Sequence, residues 1–291
     1  MESKKEIYDL IPFEYYPPTF FFKVSTSPKE IIELTRKRNL KYPLVGKPDI
    51  GMKGMMVKKL ENENDIIAYA SASKVDFLIQ EYIPYENEVG IFYYRYPNEA
   101  KGHISGIVKK EFLSVKGDGA CTVEQLLLKN KRAVLQLPTL KLKEKDKMNM
   151  ILKKDEELIM VPYGNHVRGA KFLDDSNMID AELTKTIDGI CKHINGFYYG
   201  RLDIRYNTWE ELRQGKNFSI IELNGSGSEP THIYDPKHSI FWAWNEIIKH
   251  LNILYRVSKL NHQLQKTPYM STKMGLDMFK ENSEYLKLLN S

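Results

Sequence analysis

Two short segments, Gly200-Arg-Leu-Asp-Ile-Arg205 and Ile220-Ile-Glu-Leu-Asn-Gly225, alternate charged and apolar side chains as β-strands do. Because alternate side chains of a strand share a face, the charged residues of the first segment point away from its leucine and isoleucine. If the segments are antiparallel neighbours, two carboxylates and an amide oxygen converge, and Mg²⁺ prefers such ligands. The two segments therefore predict a magnesium site formed by Asp203, Glu222 and Asn224.

The simpler interpretation is that charged residues on strands face solvent. Two features weaken it. Arg201 shares the face of Asp203, and Glu222 directly follows the apolar residues 218–221, where an unpaired buried carboxylate would be costly. A metal or another cationic partner is therefore expected at this face.

A second cluster consists of Lys47 followed by Gly51 and Gly54. The pattern predicts a strand, a glycine turn and a second strand. A strand-borne ammonium beside backbone N–H groups suits the anionic oxygens of a nucleotide. The order of residues is not that of a Walker loop. Taken alone, the pattern also fits a plain hairpin with a surface lysine.

The third cluster is the apolar strand that ends in Gln80-Glu-Tyr-Ile-Pro84, followed by Glu88. The end of such a strand offers backbone groups to a flat base, and Glu88 could accept hydrogen bonds from ribose hydroxyls. Taken alone, an ordinary β-bend explains the same residues.

Composition excludes several classes of protein. The chain has 291 residues and a formal charge of +5, with basic residues spread along its length, which does not indicate nucleic-acid binding. Cys121 and Cys191 cannot form a disulfide framework or, by themselves, a four-ligand zinc site, and such low cysteine usage suits the cytoplasm. No apolar run is long enough to span a bilayer, and residues 1–6 are not a signal peptide.

In their order along the chain, the lysine and glycine turn first, the apolar strand with Glu81 and Glu88 second and the oxygen ligands last, the three clusters resemble the ATP-grasp superfamily. The Arg-x-Asp and Glu-x-Asn pair resembles the D-alanine:D-alanine ligases. Residues 110–119 and 165–170 are more similar to the ATP-grasp modules of cyanophycin and glutathione synthetases. The resemblance covers about residues 29–235.

The resemblance implies an α+β fold in which two lobes enclose ATP. The small lobe would span 29–98 and the large lobe, with the Mg²⁺ site, 99–260. An aromatic, proline-rich arm at 1–28, expected to be extended, stands where the family usually has a full substrate domain, and 261–291 would form a helical tail.

The resemblance also implies roles for the residues above. Phosphate contacts come from Lys47 and the loop from Gly51 to Gly54. Glu81, Tyr82 and Ile83 would line the adenine pocket, and Glu88 would hold the ribose. Mg²⁺ or Mn²⁺ would be bound by Asp203, Glu222 and Asn224. Arg201 would stabilise the transferring phosphate. Members of the family convert a carboxylate to an acyl phosphate with ATP, and an amine or thiol then displaces phosphate.

Two alternatives remain open at this stage. One is an ATP-grasp kinase, which transfers the γ-phosphate to a hydroxyl; the other is a nucleotide-binding module without turnover. The expected partners are small-molecule or peptide-like carboxylates and amines, with His166, Arg168, Arg205, Lys109 and Lys110 available around an anionic substrate. Substrate identity and oligomeric state are not determined by the sequence.

Overall fold

The computed structural model describes residues 2–51, 54–162 and 164–290, and these form the predicted α+β fold. The strands are β1 Thr19–Phe22, β2 Leu44–Pro48, β3 Lys58–Leu60, β4 Phe77–Glu81, β5 Asn87–Tyr94, β6 His103–Glu111, β7 Leu113–Lys116, β8 Glu157–Val161, β9 Lys171–Asp174, β10 Tyr199–Tyr206 and β11 Phe218–Asn224. The α-helices are α1 Lys4–Leu10, α2 Pro28–Lys37, α3 Glu63–Ala72, α4 Val123–Lys129, α5 Lys131–Val134, α6 Leu137–Lys143, α7 Lys145–Met148, α8 Ala181–His193, α9 Trp209–Arg213, α10 Ile240–Gln265 and α11 Thr272–Asn290.

Two antiparallel sheets hold the residues of interest. The four-stranded sheet has the order β1-β4-β2-β3, and the five-stranded sheet has the order β11-β10-β5-β6-β9. The predicted hairpin is present as β2 and β3, although β3 is shorter than expected. Strand β5 pairs with β10 and β6 in the five-stranded sheet, so it does not share a sheet with β2 and β4.

The N-terminal segment differs from the extended arm predicted for 1–28. Residues Lys4–Leu10 form a helix, capped by Ser3, whose hydroxyl accepts from the backbone N–H of Glu6. Strand β1 joins the edge of the four-stranded sheet beside β4. The expectation was wrong for these residues because the prolines begin only at Pro12, which leaves the first turns free to be helical.

The two faces of the five-stranded sheet have different compositions. One face carries Ile91, Leu202 and Ile204, which pack with Leu183 and Ile187 of α8 in the main hydrophobic core. The opposite face carries the charged residues, and at its other end α10 packs against Phe92 and Tyr199. None of the helices in the described part of the chain is long and apolar enough to cross a membrane.

Candidate active site

The charged face is built on the register between β10 and β11. Arg201 lies opposite Asn224 and Asp203 lies opposite Glu222, so the strands are antiparallel neighbours and these four side chains share a face. Gly90 lies beside Asp203 on β5, and a Cβ atom there would stand 2.7 Å from a methyl group of Val108 and 3.0 Å from the Asp203 carboxylate. Glycine at this position therefore leaves space for the Asp203 carboxylate.

Asp203 is the centre of a buried network. Its carboxylate accepts from the Arg201 guanidinium at 2.9 Å and pairs with the Lys110 ammonium at 3.2 Å. Burial raises the pKa of Asp203, but the two cations outweigh this effect and hold it below its ordinary value. Asp203 is therefore a fixed negative charge at neutral pH.

Glu88 extends the network along the sheet. Its carboxylate is 2.9 Å from the Lys110 ammonium and 3.5 Å from the Arg205 guanidinium, and it also accepts from the backbone N–H of Gly164. Three cations (Arg201, Lys110, Arg205) thus face two carboxylates (Asp203, Glu88) within this network, and Glu222 adds a third negative charge on the same face.

Glu222 stands apart from this network. Among the described residues it has no hydrogen bond or ion pair, and it lines a cavity of about 490 Å³ together with Asn224. Both oxygens of Asp203 contact cations, so Glu222 and Asn224 are the more available oxygen donors. Carboxylate and amide oxygens suit Mg²⁺, and Glu222 and Asn224 are the members of the set that line the cavity.

Lys47 approaches the cavity region from the four-stranded sheet. Its ammonium donates to the Tyr8 hydroxyl at 2.8 Å and to the Gln80 side-chain oxygen at 2.9 Å. Burial lowers the pKa of Lys47 to about 8, against an opposing effect of the Glu222 charge. Tyr8 in turn donates to the carbonyl of Ile221, so the phenol connects the two sheets.

Helices from both ends of the chain border the cavity. Helix α1 is anchored by Asp49, which accepts from the Ser3 hydroxyl and the Lys5 backbone N–H. Helix α11 is anchored by Tyr285, whose hydroxyl donates to the carbonyl of Ile50. The contribution of both helices to the cavity wall was not predicted from the sequence, because neither helix contains a recognisable motif.

Among the predicted loop and adenine residues, Gly51 borders the cavity, and its carbonyl accepts from the Lys4 ammonium at 3.0 Å. Gly54 has a positive φ of 65°, whereas Met52 and Lys53 of the predicted loop lie outside the described residues. Of the adenine-pocket residues, Glu81 is the last residue of β4, and Tyr82 and Ile83 lie between β4 and β5.

The adenine segment is tied to the charge network through Arg205. The Arg205 guanidinium donates to the carbonyls of Ile83 and Tyr85 at 3.3 Å each, and it lies 5.8 Å from the Tyr82 ring centre. Arg205 and Glu88 thus link this segment to the Asp203 network, and Lys110 joins Glu88 to Asp203. The sequence indicated Lys110 and Arg205 only as general substrate contacts.

No protein-family model matches the chain, and the comparison with curated proteins finds no match. Among solved structures, it is similar to D-alanine–D-alanine ligase from Bacillus anthracis, at 13% identity and a TM-score of 0.47 over 91% of this chain and 68% of the ligase. The bifunctional glutathione synthetase from Pasteurella multocida has 16% identity and a TM-score of 0.43, over 90% and 35% of the two chains.

A third similar structure is the ATP-grasp ligase PsnB, at 12% identity and a TM-score of 0.44 over 86% of this chain and 59% of that one. This chain thus spans between about one third and two thirds of these three proteins. At these values the similarity carries no conclusion about activity.

Proposed function

We propose that this protein is an ATP- and Mg²⁺-dependent ligase that joins a carboxylate to an amine or a thiol through an acyl phosphate, with ADP and phosphate as products. The observation that carries the proposal is the position of Glu222 and Asn224. They line a cavity beside a buried network of fixed charges and on the side approached by Lys47.

The nucleotide would bind between the two sheets. Lys47 would contact its phosphates, and the loop from Gly51 to Gly54 would cover them. The segment 81–83 would contact the adenine. Glu88 would hold the ribose, for which its carboxylate, buried against Lys110 and Arg205, would have to become accessible.

Phosphoryl transfer would depend on charges that are already in position. Asp203, Glu222 and Asn224 would hold Mg²⁺, which when bound neutralises phosphate charge and aligns the reacting oxygens. Arg201 would stabilise the transferring phosphate, since its guanidinium is fixed by Asp203 and needs little reorganisation.

The two chemical steps balance without another reactant. A carboxylate oxygen of the substrate bonds to the γ-phosphorus as the bond to ADP breaks. The amine or thiol then bonds to the carbonyl carbon, phosphate leaves, and the nucleophile loses one proton.

The test combines nucleotide binding with trapping of the intermediate. Calorimetry with a non-hydrolysable ATP analogue, with and without Mg²⁺, should show Mg²⁺-dependent binding in the wild type. Glu222→Gln keeps the side-chain volume but removes the charge, so it should abolish the Mg²⁺ dependence. Glu281→Gln on the exposed side of α11 is the matched control and should bind as the wild type does.

Hydroxylamine separates the possible reactions. A panel of carboxylates with ATP should give a hydroxamate and ADP, because hydroxylamine intercepts an acyl phosphate. ADP without hydroxamate, formed from a hydroxyl substrate, would indicate a kinase instead. Absence of nucleotide binding in the wild type would contradict the proposal as a whole.

A further inference from the structure

A second group of polar side chains lies at the other end of the charged face of the five-stranded sheet. It consists of His232, in the 3-10 turn Thr231–Tyr234 after β11, and of Glu246 and His250 on α10. One ligand atom from each residue lies within 4.8 Å of the others. From the Glu246 carboxylate, the His232 Nε2 atom is at 3.5 Å and the His250 Nε2 atom at 3.9 Å.

One atom of this group lacks a partner. His250 is 2% exposed, and its buried Nε2 atom has no hydrogen bond. Buried polar atoms are nearly always hydrogen-bonded, because leaving one without a partner costs free energy. The Nε2 atom faces the Glu246 carboxylate at a distance too long for a hydrogen bond. This arrangement indicates that an interaction partner belongs between the three side chains.

We propose that His232, Glu246 and His250 form a zinc site that fixes the turn after β11 to helix α10. Two imidazoles and one carboxylate are an established ligand set for Zn²⁺, and Mg²⁺, which prefers oxygen, does not suit it. Ligand distances of about 2.0–2.2 Å in a tetrahedral site put neighbouring ligand atoms roughly 3.3 Å apart. The two imidazole–carboxylate distances of 3.5 Å and 3.9 Å would therefore shorten by about 0.2 Å and 0.6 Å, and no pair of ligand atoms, all within 4.8 Å of one another, would need to close by more than about 1.5 Å.

The protonation states suit metal binding. Burial, together with the smaller effect of the neighbouring His232, lowers the pKa of His250 to about 4 against an opposing effect of Glu246. Burial also lowers the pKa of His232, against opposing effects of Asp174 and Glu246. Both imidazoles are therefore neutral near pH 7 and have a lone pair to donate, as a zinc ligand must.

The surroundings orient both rings. The Tyr199 hydroxyl lies 3.5 Å from the His250 Nδ1 atom, which leaves Nε2 directed at Glu246. His232 lies directly on Gly106 of β6, where a Cβ atom would stand 2.3 Å from a ring carbon. A side chain at position 106 would displace His232, so glycine there is part of the site.

One neighbour opposes binding of a cation. The Lys249 ammonium lies 3.2 Å and 3.3 Å from the two Glu246 oxygens. Its side chain is half-exposed and can move into solvent without leaving a buried charge. Lys249→Gln should therefore strengthen zinc binding, which is a result that loss of folding cannot produce.

The first experiment is titration of chelator-treated full-length protein with Zn²⁺ alone, followed by calorimetry. We expect one Zn²⁺ per chain. Glu246→Gln and His250→Gln should each weaken binding by more than about 100-fold, since loss of even an indirect partner costs about 10–100-fold. His262→Gln, on the same helix but outside the cluster, is the matched control and should bind as the wild type does.

The second experiment does not depend on variants. X-ray absorption of the wild type loaded with Zn²⁺ should show two imidazole ligands in a four-coordinate site. A ligand set without two imidazoles, no Zn²⁺ binding by the wild type, or equal binding by all variants would overturn the proposal. Loss of zinc binding leaves the test of the ATP site unaffected, since the two sets of residues are different.

Discussion

The charged face of the five-stranded sheet carries two clusters of ionisable side chains that differ in how their charges are compensated. Around Asp203, each buried charge touches an opposite one, from Arg201 through Lys110 to Glu88. Around Glu246, the His250 Nε2 atom has no partner. A satisfied network holds charges in fixed positions for a ligand that comes and goes, whereas an unsatisfied cluster indicates a ligand that completes it.

The largest effect is expected from removing Lys110, which tests whether the paired charges around Asp203 stabilise the fold. Lys110→Met leaves Glu88 and Asp203 with one cation each in a buried setting, so we expect the free energy of unfolding to fall by about 3 kcal/mol. Urea denaturation measures this change. Lys109→Met is the matched control, because the neighbouring lysine points to the exposed side of the same strand and should change stability little. Equal losses in both variants would show that the network is not the cause.

A second prediction tests the unsatisfied cluster by linkage. Zn²⁺ at about 100 times its dissociation constant should raise the free energy of unfolding by about 2.7 kcal/mol, because the ion binds the folded chain. In Glu246→Gln, whose binding should be more than about 100-fold weaker, the same concentration should stabilise by less than about 0.4 kcal/mol. Urea denaturation with Zn²⁺ and with a chelator provides the measurement. Stabilisation that persists in Glu246→Gln would place the ion elsewhere.

A third prediction concerns the pH dependence of stability that Lys47 causes, because this buried cation has only neutral hydrogen-bond partners. Its pKa in the folded state is lowered from 10.5 to about 8, so burial of its charge destabilises the fold fully below pH 8. This cost disappears as the pH rises towards the ordinary pKa. Between pH 7 and pH 10, the wild type should therefore gain on the order of 2 kcal/mol relative to Lys47→Met, which cannot titrate.

Denaturation of both proteins at the two pH values isolates this effect, since the other titrating groups are common to both. A difference in stability that does not change with pH would mean that Lys47 keeps an ordinary pKa in the folded protein.

Much of the five-stranded sheet could be predicted because its strands have strong local patterns. Arg201 and Asp203 alternate with apolar residues over a short segment, and so do Glu222 and Asn224. Which side chains of a strand share a face depends only on alternation along that strand. The charged face could therefore be predicted without knowing which strands pair. The helix Ala181–His193 has signals of the same local kind, an apolar spacing and the Asp180 cap.

The zinc cluster was not predicted. Glu246 and His250 are four positions apart on a helix, a spacing that brings side chains onto one face. This spacing alone is common on amphipathic helices. The third member, His232, comes from a separate turn, and its position depends on close contact with Gly106 of a distant strand.

The α+β composition, the alternation along the strands and the residue types suited to a nucleotide and Mg²⁺ could be inferred from the amino-acid sequence alone. The pairing of β5 with β10, the position of Tyr8 and α11 beside the cavity and the contact between His232 and α10 depend on the folded chain. Alternation and capping act over a few residues, whereas pairing and burial depend on surfaces from parts of the chain that are far apart in sequence.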